Sequence, residues 1–187
     1  ERLGAAYGFV PSADFIHAPF DVQKTEAPRR LCLILSAPRS GSTMLCDALR
    51  LNAGYVAHEY FQPEYYLPLF ADRCGCVRNG KLDAQAFANA LVQRRTGPDG
   101  TLAINLHARH LWAFEAIAPF LPDLPTEVFI LRRADLVAQA VSLFIAATTG
   151  QWSAHFVATG AVSYDYDSIA GHLHNVAIDN ALNPLFA

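Results

Sequence analysis

Apolar runs alternate with amphipathic stretches along most of the chain. Continuous apolar runs predict buried strands, because the strands of a parallel sheet are covered on both faces; they lie at 31–36, 102–106 and 127–131. Apolar positions that recur every three or four residues predict helices; they lie at 42–51, 83–95, 110–117, 135–149 and 166–180. This alternation predicts an α/β fold with a central parallel sheet and right-handed crossovers.

Smaller signals mark the ends of these elements. Gly54 follows the first predicted helix and suits a C-cap, and Asp135 precedes the fourth and suits an N-cap. A short further strand is predicted at 55–57, followed by an aromatic, proline-interrupted loop at 58–70. Residues 1–30 mix charge, proline and aromatic side chains, so we expect a partly ordered lead-in to one domain over 31–187.

The turn between the first strand and the first helix carries a pattern suited to anions. Its sequence is Pro38-Arg39-Ser40-Gly41-Ser42-Thr43. Backbone N–H groups at a helix start lack intrahelical partners and bind phosphate-like groups, and hydroxyls and an arginine add donors. A nucleoside-triphosphatase loop would carry a lysine where Ser42 stands. The turn therefore predicts a phosphate or sulfate site without magnesium–triphosphate chemistry.

A second strand-to-helix junction carries Arg132 and Arg133, with Gln139 and Ser142 on the following helix. Because the carboxyl ends of parallel strands meet at one edge of the sheet, this junction should lie beside the first turn. Two anion sites at one edge suit a ligand with two separate phosphate groups. Each of the four residues is a candidate for contacting the second phosphate.

The two motifs together resemble those of sulfotransferases that use 3′-phosphoadenosine 5′-phosphosulfate (PAPS), in particular the bacterial carbohydrate branch that includes trehalose 2-sulfotransferase and the nodulation-factor sulfotransferases. The resemblance implies a P-loop-like, three-layer α/β/α fold and an enzyme that moves a sulfuryl group from PAPS to a hydroxyl of a carbohydrate or glycolipid. Residues 38–43 would hold the 5′-phosphosulfate, and Arg132, Arg133, Gln139 and Ser142 the 3′-phosphate. The branch includes dimers, so a homodimer is expected. Family members usually continue past the last helix, so the chain is expected to be truncated at its C-terminus.

Three residues are candidates for the general base that takes the acceptor's proton. The resemblance favours Glu59, because a glutamate followed by two aromatic residues is the catalytic base in the trehalose branch. His58 is the adjacent alternative, and His107, after the strand at 102–106, is the third. Arg39 is expected to stabilise charge on the transferred group. The aromatic residues of the 58–70 loop are predicted either to stack on sugar rings or to form part of the core or of a dimer surface: Tyr60, Phe61, Tyr65 and Tyr66.

Composition limits the classes of molecule that the chain is expected to bind. Of the 187 residues, 52% are hydrophobic and 17% charged, and the net charge of -3 gives no overall attraction to nucleic acid. No apolar run is long enough for a membrane span. The four cysteines lack the further ligands that a zinc site needs, so we expect no metal and reduced thiols in the cytoplasm.

Two other functions remain open from the sequence. A small-molecule kinase or nucleotide hydrolase would use the same kind of turn, although the loop lysine is missing and no magnesium-binding aspartate stands at a strand end. A nucleotide-binding module without catalysis would keep the loop and lose the base.

Overall fold

The computed structural model describes residues 2–22 and 26–186. Parts of the predicted lead-in, residue 1 and residues 23–25, lie outside the described residues, as does residue 187. The helices are α1 Arg2–Phe9, α2 Ser42–Ala53, α3 Tyr66–Arg73, α4 Ala84–Arg95, α5 Leu111–Ile117, α6 Leu136–Thr149 and α7 Tyr166–Leu182. The strands are β1 Arg30–Ser36, β2 Val77–Arg78, β3 Lys81–Leu82, β4 Thr101–His107 and β5 Thr126–Leu131.

The central sheet has three parallel strands in the order β4-β1-β5. Its register places Ser36 level with His107 on one side and with Leu131 on the other. All three strands therefore end at one edge, and the residues that follow them meet there. This edge is where an α/β sheet binds its ligands.

Helices cover both faces of β1, because its side chains alternate between two apolar clusters. Leu33 and Leu35 pack on one face, in the cluster that includes Phe87 of α4. Cys32 and Ile34 face the other way, in the cluster that includes Cys46 of α2. The predicted α/β/α fold with a central parallel sheet is confirmed. Within the described ranges, no helix combines the length and apolar character needed to cross a bilayer.

Helix caps form where the sequence predicts them. The Asp135 carboxylate accepts a hydrogen bond from the Ala138 N–H at 2.8 Å, which satisfies one free donor at the start of α6. Gly54 ends α2 with φ 76°, a conformation that glycine adopts without steric cost.

Two local predictions are wrong. Residues 55–57 do not form a strand, although the next residue, His58, accepts a hydrogen bond from the Asn105 N–H of β4 at 3.0 Å. Helix α3 begins inside the predicted 58–70 loop and contains Pro68 in its first turn, a position where the missing N–H costs nothing. Helix α1 lies within the predicted lead-in and gives part of that segment regular structure.

A buried arginine attaches the N-terminal segment, defined here as residues 14–21, to the rest of the domain. Arg95 of α4 is fully buried and donates to the carbonyls of Ile16 at 3.0 Å and Phe20 at 2.9 Å. Its guanidinium also lies 3.1 Å from the Asp21 carboxylate. These contacts satisfy a charge that would otherwise be costly to bury. They hold the segment against the core and bring Asp14 to the edge where the strands of the sheet end.

Candidate active site

A cavity of about 820 Å³ opens at the edge where β1, β4 and β5 end. Its wall includes all six residues of the 38–43 turn, Glu59 and His58 after α2, and His107 at the end of β4. Asp14 of the N-terminal segment also lines it. Residues that are far apart in sequence therefore face one volume, large enough for a small-molecule ligand.

The turn before α2 leaves hydrogen-bond donors free. Gly41 has φ 97°, and as the residue before the helix it supplies no side-chain cap, so the first N–H groups of α2 keep their capacity for a ligand. Arg39 has φ 62°, an uncommon conformation for a residue with a side chain, and it bends the chain around the cavity. Ser40 Oγ is buried and has no hydrogen-bond partner among the described residues. An orphaned donor beside an uncapped helix start fits an anion.

The second motif reaches the same cavity. Arg39 Nε donates to Ser142 Oγ of α6 at 2.9 Å, and Arg39 also donates to the Trp152 carbonyl. Arg133 lines the cavity as well. Burial lowers the pKa of Arg39, and the neighbouring positive charge of Arg133 lowers it further. Two arginines that repel each other favour an anion between or beside them.

The remaining two residues of the second motif lie elsewhere. Gln139 is fully buried, donates to the Pro38 carbonyl at 2.7 Å, and lies 3.4 Å from the Asn180 amide nitrogen of α7. Its amide therefore stabilises the 38–43 turn without contributing to the cavity wall. Arg132 is exposed and does not contribute to the cavity wall.

Glu59 is held in the cavity wall by the two residues that follow it. Tyr60 and Phe61 are fully buried, and the Tyr60 hydroxyl donates to the Val56 carbonyl. The Glu59 side chain is 20% exposed. Burial raises the pKa of Glu59, and the nearby His110 and His58 offset only part of that effect. A carboxyl group in this setting holds its proton more tightly than one in water.

His58 is paired with an aspartate that the sequence did not indicate. His58 Nε2 lies 2.8 Å from Asp14 Oδ1, and the two side chains are 10% and 9% exposed. Burial alone would raise the pKa of Asp14, but the attraction of His58 and the hydrogen bonds from His58 and the Ile16 N–H outweigh it and lower that pKa. Tyr66 packs its ring edge-on against His58 at 4.4 Å. His58 Nδ1 is buried without a partner among the described residues.

Two further histidines stand close to Glu59. His107 Nδ1 lies 3.5 Å from Glu59 Oε2, and the rings of His107 and His110 stack 5.5 Å apart. Burial lowers the pKa of both imidazoles to about 4, so both are neutral at neutral pH. His107 was one of the three candidate bases, whereas His110 was predicted only as the start of a helix.

Aromatic residues divide between the core and the cavity. Tyr60 and Phe61 belong to the core, so these two cannot stack on a ligand. Tyr65 lines the cavity and stacks on Phe9 of α1 at 4.5 Å. Phe9 in turn lies 5.3 Å from the ring of Phe156. These rings form an apolar side of the cavity, opposite in character to the side with the arginines.

Comparison with known families gives one match. The family model described as Stf0 sulphotransferase matches residues 32–183, which include both anion-binding motifs and every candidate base. No curated protein matches the chain.

Proposed function

The chain belongs to the Stf0 sulphotransferase family, and from this premise we propose that it transfers the sulfuryl group of PAPS to a hydroxyl of a carbohydrate or glycolipid. The observation that carries the proposal is the meeting of the two predicted anion-binding motifs and a largely buried carboxylate in one cavity. Membership in the family makes the protein a sulfotransferase. The donor, the acceptor class and the residues that act on them are the proposal.

The donor would lie along the edge where the strands end. The N–H groups at the start of α2, with Ser40, Ser42 and Thr43, suit the 5′-phosphosulfate. Arg133 and Ser142 suit the 3′-phosphate, because both line the cavity. Arg39 lies between the motifs, bonded to Ser142, and a modest change of its side chain would direct its charge to the sulfuryl oxygens. Gln139 and Arg132 contribute to this site only indirectly, through the position of the turn and the strand end.

Glu59 is the proposed general base. The acceptor oxygen attacks sulfur while its proton moves to the Glu59 carboxylate; the bond from sulfur to the bridging phosphate oxygen breaks, and 3′-phosphoadenosine 5′-phosphate leaves with the electron pair. Charge that develops on the sulfuryl and phosphate oxygens is stabilised by Arg39 and the N–H groups of α2. The raised pKa of Glu59 supports the assignment, because a base works best when its pKa approaches the working pH.

His58 is a second candidate for the base, on one specific observation. Asp14 accepts a hydrogen bond at one ring nitrogen, 2.8 Å away, and the other nitrogen has no partner among residues 2–22 and 26–186. A carboxylate that orients a histidine in this way is a common arrangement for proton transfer. If Glu59 is the base, the His58–Asp14 pair instead holds the neighbouring part of the cavity wall in position.

The acceptor would lie against the aromatic side of the cavity. The ring of Tyr65 and the neighbouring Phe9 and Phe156 give an apolar surface that suits the face of a sugar ring or an apolar aglycone. A cytoplasmic location and a homodimer stay predictions from the sequence.

The test uses radiolabelled PAPS with a panel of acceptors that includes trehalose, simple glycosides and glycolipids. We expect labelled product with the wild-type chain and a loss of about 10²–10⁴-fold in turnover with Glu59→Gln. The exposed Glu115→Gln is the matched control and should turn over like the wild type. His58→Gln separates the two candidate bases, because a larger loss there than in Glu59→Gln would assign the proton to His58. No transfer to any acceptor, with PAPS bound, would contradict the acceptor class.

A further inference from the structure

Three side chains with unshared electron pairs converge in the cavity wall without hydrogen bonds among them. The ligand atoms that Glu59, His107 and His110 offer lie within 4.8 Å of one another. His107 and His110 are 4% and 7% exposed. The 3.5 Å between His107 Nδ1 and Glu59 Oε2 is too long for a good hydrogen bond. Neither the Glu59 carboxylate nor the two imidazoles form a hydrogen bond with any described residue.

The donor atoms and their spacing suit a transition metal. Zinc binds imidazole nitrogen and carboxylate oxygen at about 2.1 Å in a tetrahedron, which places neighbouring ligand atoms about 3.4 Å apart. One edge of the triad already has this length, at 3.5 Å. A small rotation of the side chains would bring the third ligand atom to the same spacing. Two imidazoles and a carboxylate are also a ligand set that zinc uses with one open position.

The surroundings tolerate a cation there. Arg109, whose positive charge acts on all three groups, is paired with the buried carboxylate of Asp179, which offsets that charge. Asp14 adds a negative charge that Glu59 also senses. All three ligand residues line the cavity, so an ion has a path from solvent and a fourth position for water or a hydroxyl group.

We propose that Glu59, His107 and His110 form a binding site for a divalent transition metal of the zinc type. The site shares Glu59 with the reaction, so a bound ion occupies the electron pair that would take the acceptor's proton. The ion is therefore an inhibitor that competes with the acceptor and not with PAPS. This effect on turnover rests on the proposed function, whereas binding of the ion does not.

Binding is tested without turnover. Chain freed of metal is titrated with Co²⁺, followed by visible absorption, and with Zn²⁺, followed by calorimetry. We expect one ion per chain and visible bands typical of a four-coordinate nitrogen–oxygen site. Glu59→Gln keeps the shape of the side chain and should weaken Zn²⁺ binding by more than about 100-fold, the upper range for loss of an outer-shell partner. His110→Ala should do the same.

The exposed His174→Ala is the control and should bind as the wild type does. If the wild type takes up no ion, or if Glu59→Gln binds Zn²⁺ as tightly as the wild type, the site does not exist. Turnover of each protein is then measured once with Zn²⁺ and once with a chelator, and the two rates of the same protein are compared. Inhibition that the chelator reverses and that added acceptor relieves supports the shared use of Glu59; full turnover with Zn²⁺ bound would overturn it. Because the titration needs no substrate, a failure of the proposed reaction leaves the metal site decided on its own evidence.

Discussion

Glu59 combines an unfavourable environment with the role proposed for it. Its carboxyl group is largely buried and forms no hydrogen bond with the described residues, so the ionised form is disfavoured. The sequence indicated this residue only through the family pattern of a glutamate before two aromatic residues. The structure supplies the physical reason for that pattern, because Tyr60 and Phe61 fasten the backbone on the far side of Glu59 to the core.

The pH dependence of turnover should show the raised pKa of Glu59. The base acts when ionised, so kcat/KM should fall as the pH drops through that pKa. We expect the midpoint of this acidic limb above the ordinary glutamate value of about 4.3. The measurement is a pH profile of kcat/KM for the wild type, with Glu115→Gln as control. A limb at or below the ordinary value would contradict the assignment.

The same shift predicts that Glu59→Gln stabilises the fold. The folded chain holds the Glu59 proton more tightly than the unfolded chain, so the free energy of unfolding falls as pH rises from the unfolded pKa to the folded one. The variant carries no charge there, so it should melt at a higher temperature than the wild type at neutral pH. Near pH 3 the Glu59 side chain of the wild type is neutral as well, so the difference in Tm between the two proteins should shrink. A lower Tm for the variant at neutral pH would show that the carboxylate is well stabilised.

Other residues of the site could not be found from the sequence. Asp14 lies in a stretch without periodicity, and it reaches His58 only because the N-terminal segment folds back across the domain. His110 is three residues after His107 and looks like any helix start. Their roles depend on contacts between distant parts of the chain, which a local pattern does not contain.

At the scale of elements, the turn before α2 is supported by α6. The Gln139 side chain joins the Pro38 carbonyl to Asn180 of α7, so the 38–43 turn rests on two helices. The sequence predicted Gln139 as a phosphate ligand because it stands near Ser142 on the same helix. Both side chains contact the 38–43 turn, but Ser142 bonds to Arg39 and lines the cavity, whereas Gln139 bonds to the Pro38 carbonyl and does not. The strands were predictable because apolar runs are long and unbroken; the 55–57 segment was not, because so short a run carries little signal.

Replacing Gln139 should therefore lower the free energy of unfolding of the protein without bound nucleotide. Gln139→Leu leaves the Pro38 carbonyl without its buried donor, and the unfolding free energy should drop by about 1–3 kcal/mol. The exposed Gln93→Leu should change it by less than about 0.5 kcal/mol. Denaturant unfolding without nucleotide measures both. An unchanged stability together with lost nucleotide binding would instead make Gln139 a direct ligand.

At the scale of the whole molecule, the cavity is complete only when the N-terminal segment lies on the domain. Arg95 holds that segment by donating hydrogen bonds to three of the segment's backbone carbonyls and by an ion pair with Asp21. Burial would raise the pKa of Asp21, but hydrogen bonds from Arg73 and the charge of Arg95 lower it. The stability that this carboxylate gives is therefore present above its unfolded pKa, near 3.9, and is lost as the pH falls through the folded pKa.

Arg95→Met should be costly for this reason. It leaves the carbonyls of Ile16 and Phe20 without their donor, whereas Asp21 keeps its bonds to Arg73 and Arg94. An unsatisfied buried carbonyl costs about 1–3 kcal/mol, so the two together should cost about 2–5 kcal/mol. The neighbouring Arg94 also pairs with Asp21, at 2.9 Å, but its side chain is 45% exposed, so Arg94→Met should cost no more than about 1 kcal/mol. Denaturant unfolding of the two variants tests the comparison. Equal losses would mean that the buried arginine does not hold the segment.

The most direct test of the central claim is a calorimetric titration of the chain with 3′-phosphoadenosine 5′-phosphate, run beside ADP with and without magnesium. Two separate phosphate sites in one cavity predict tight, magnesium-independent binding of the former and weak binding of ADP. Equal or tighter binding of ADP, or binding that requires magnesium, would contradict PAPS as the donor.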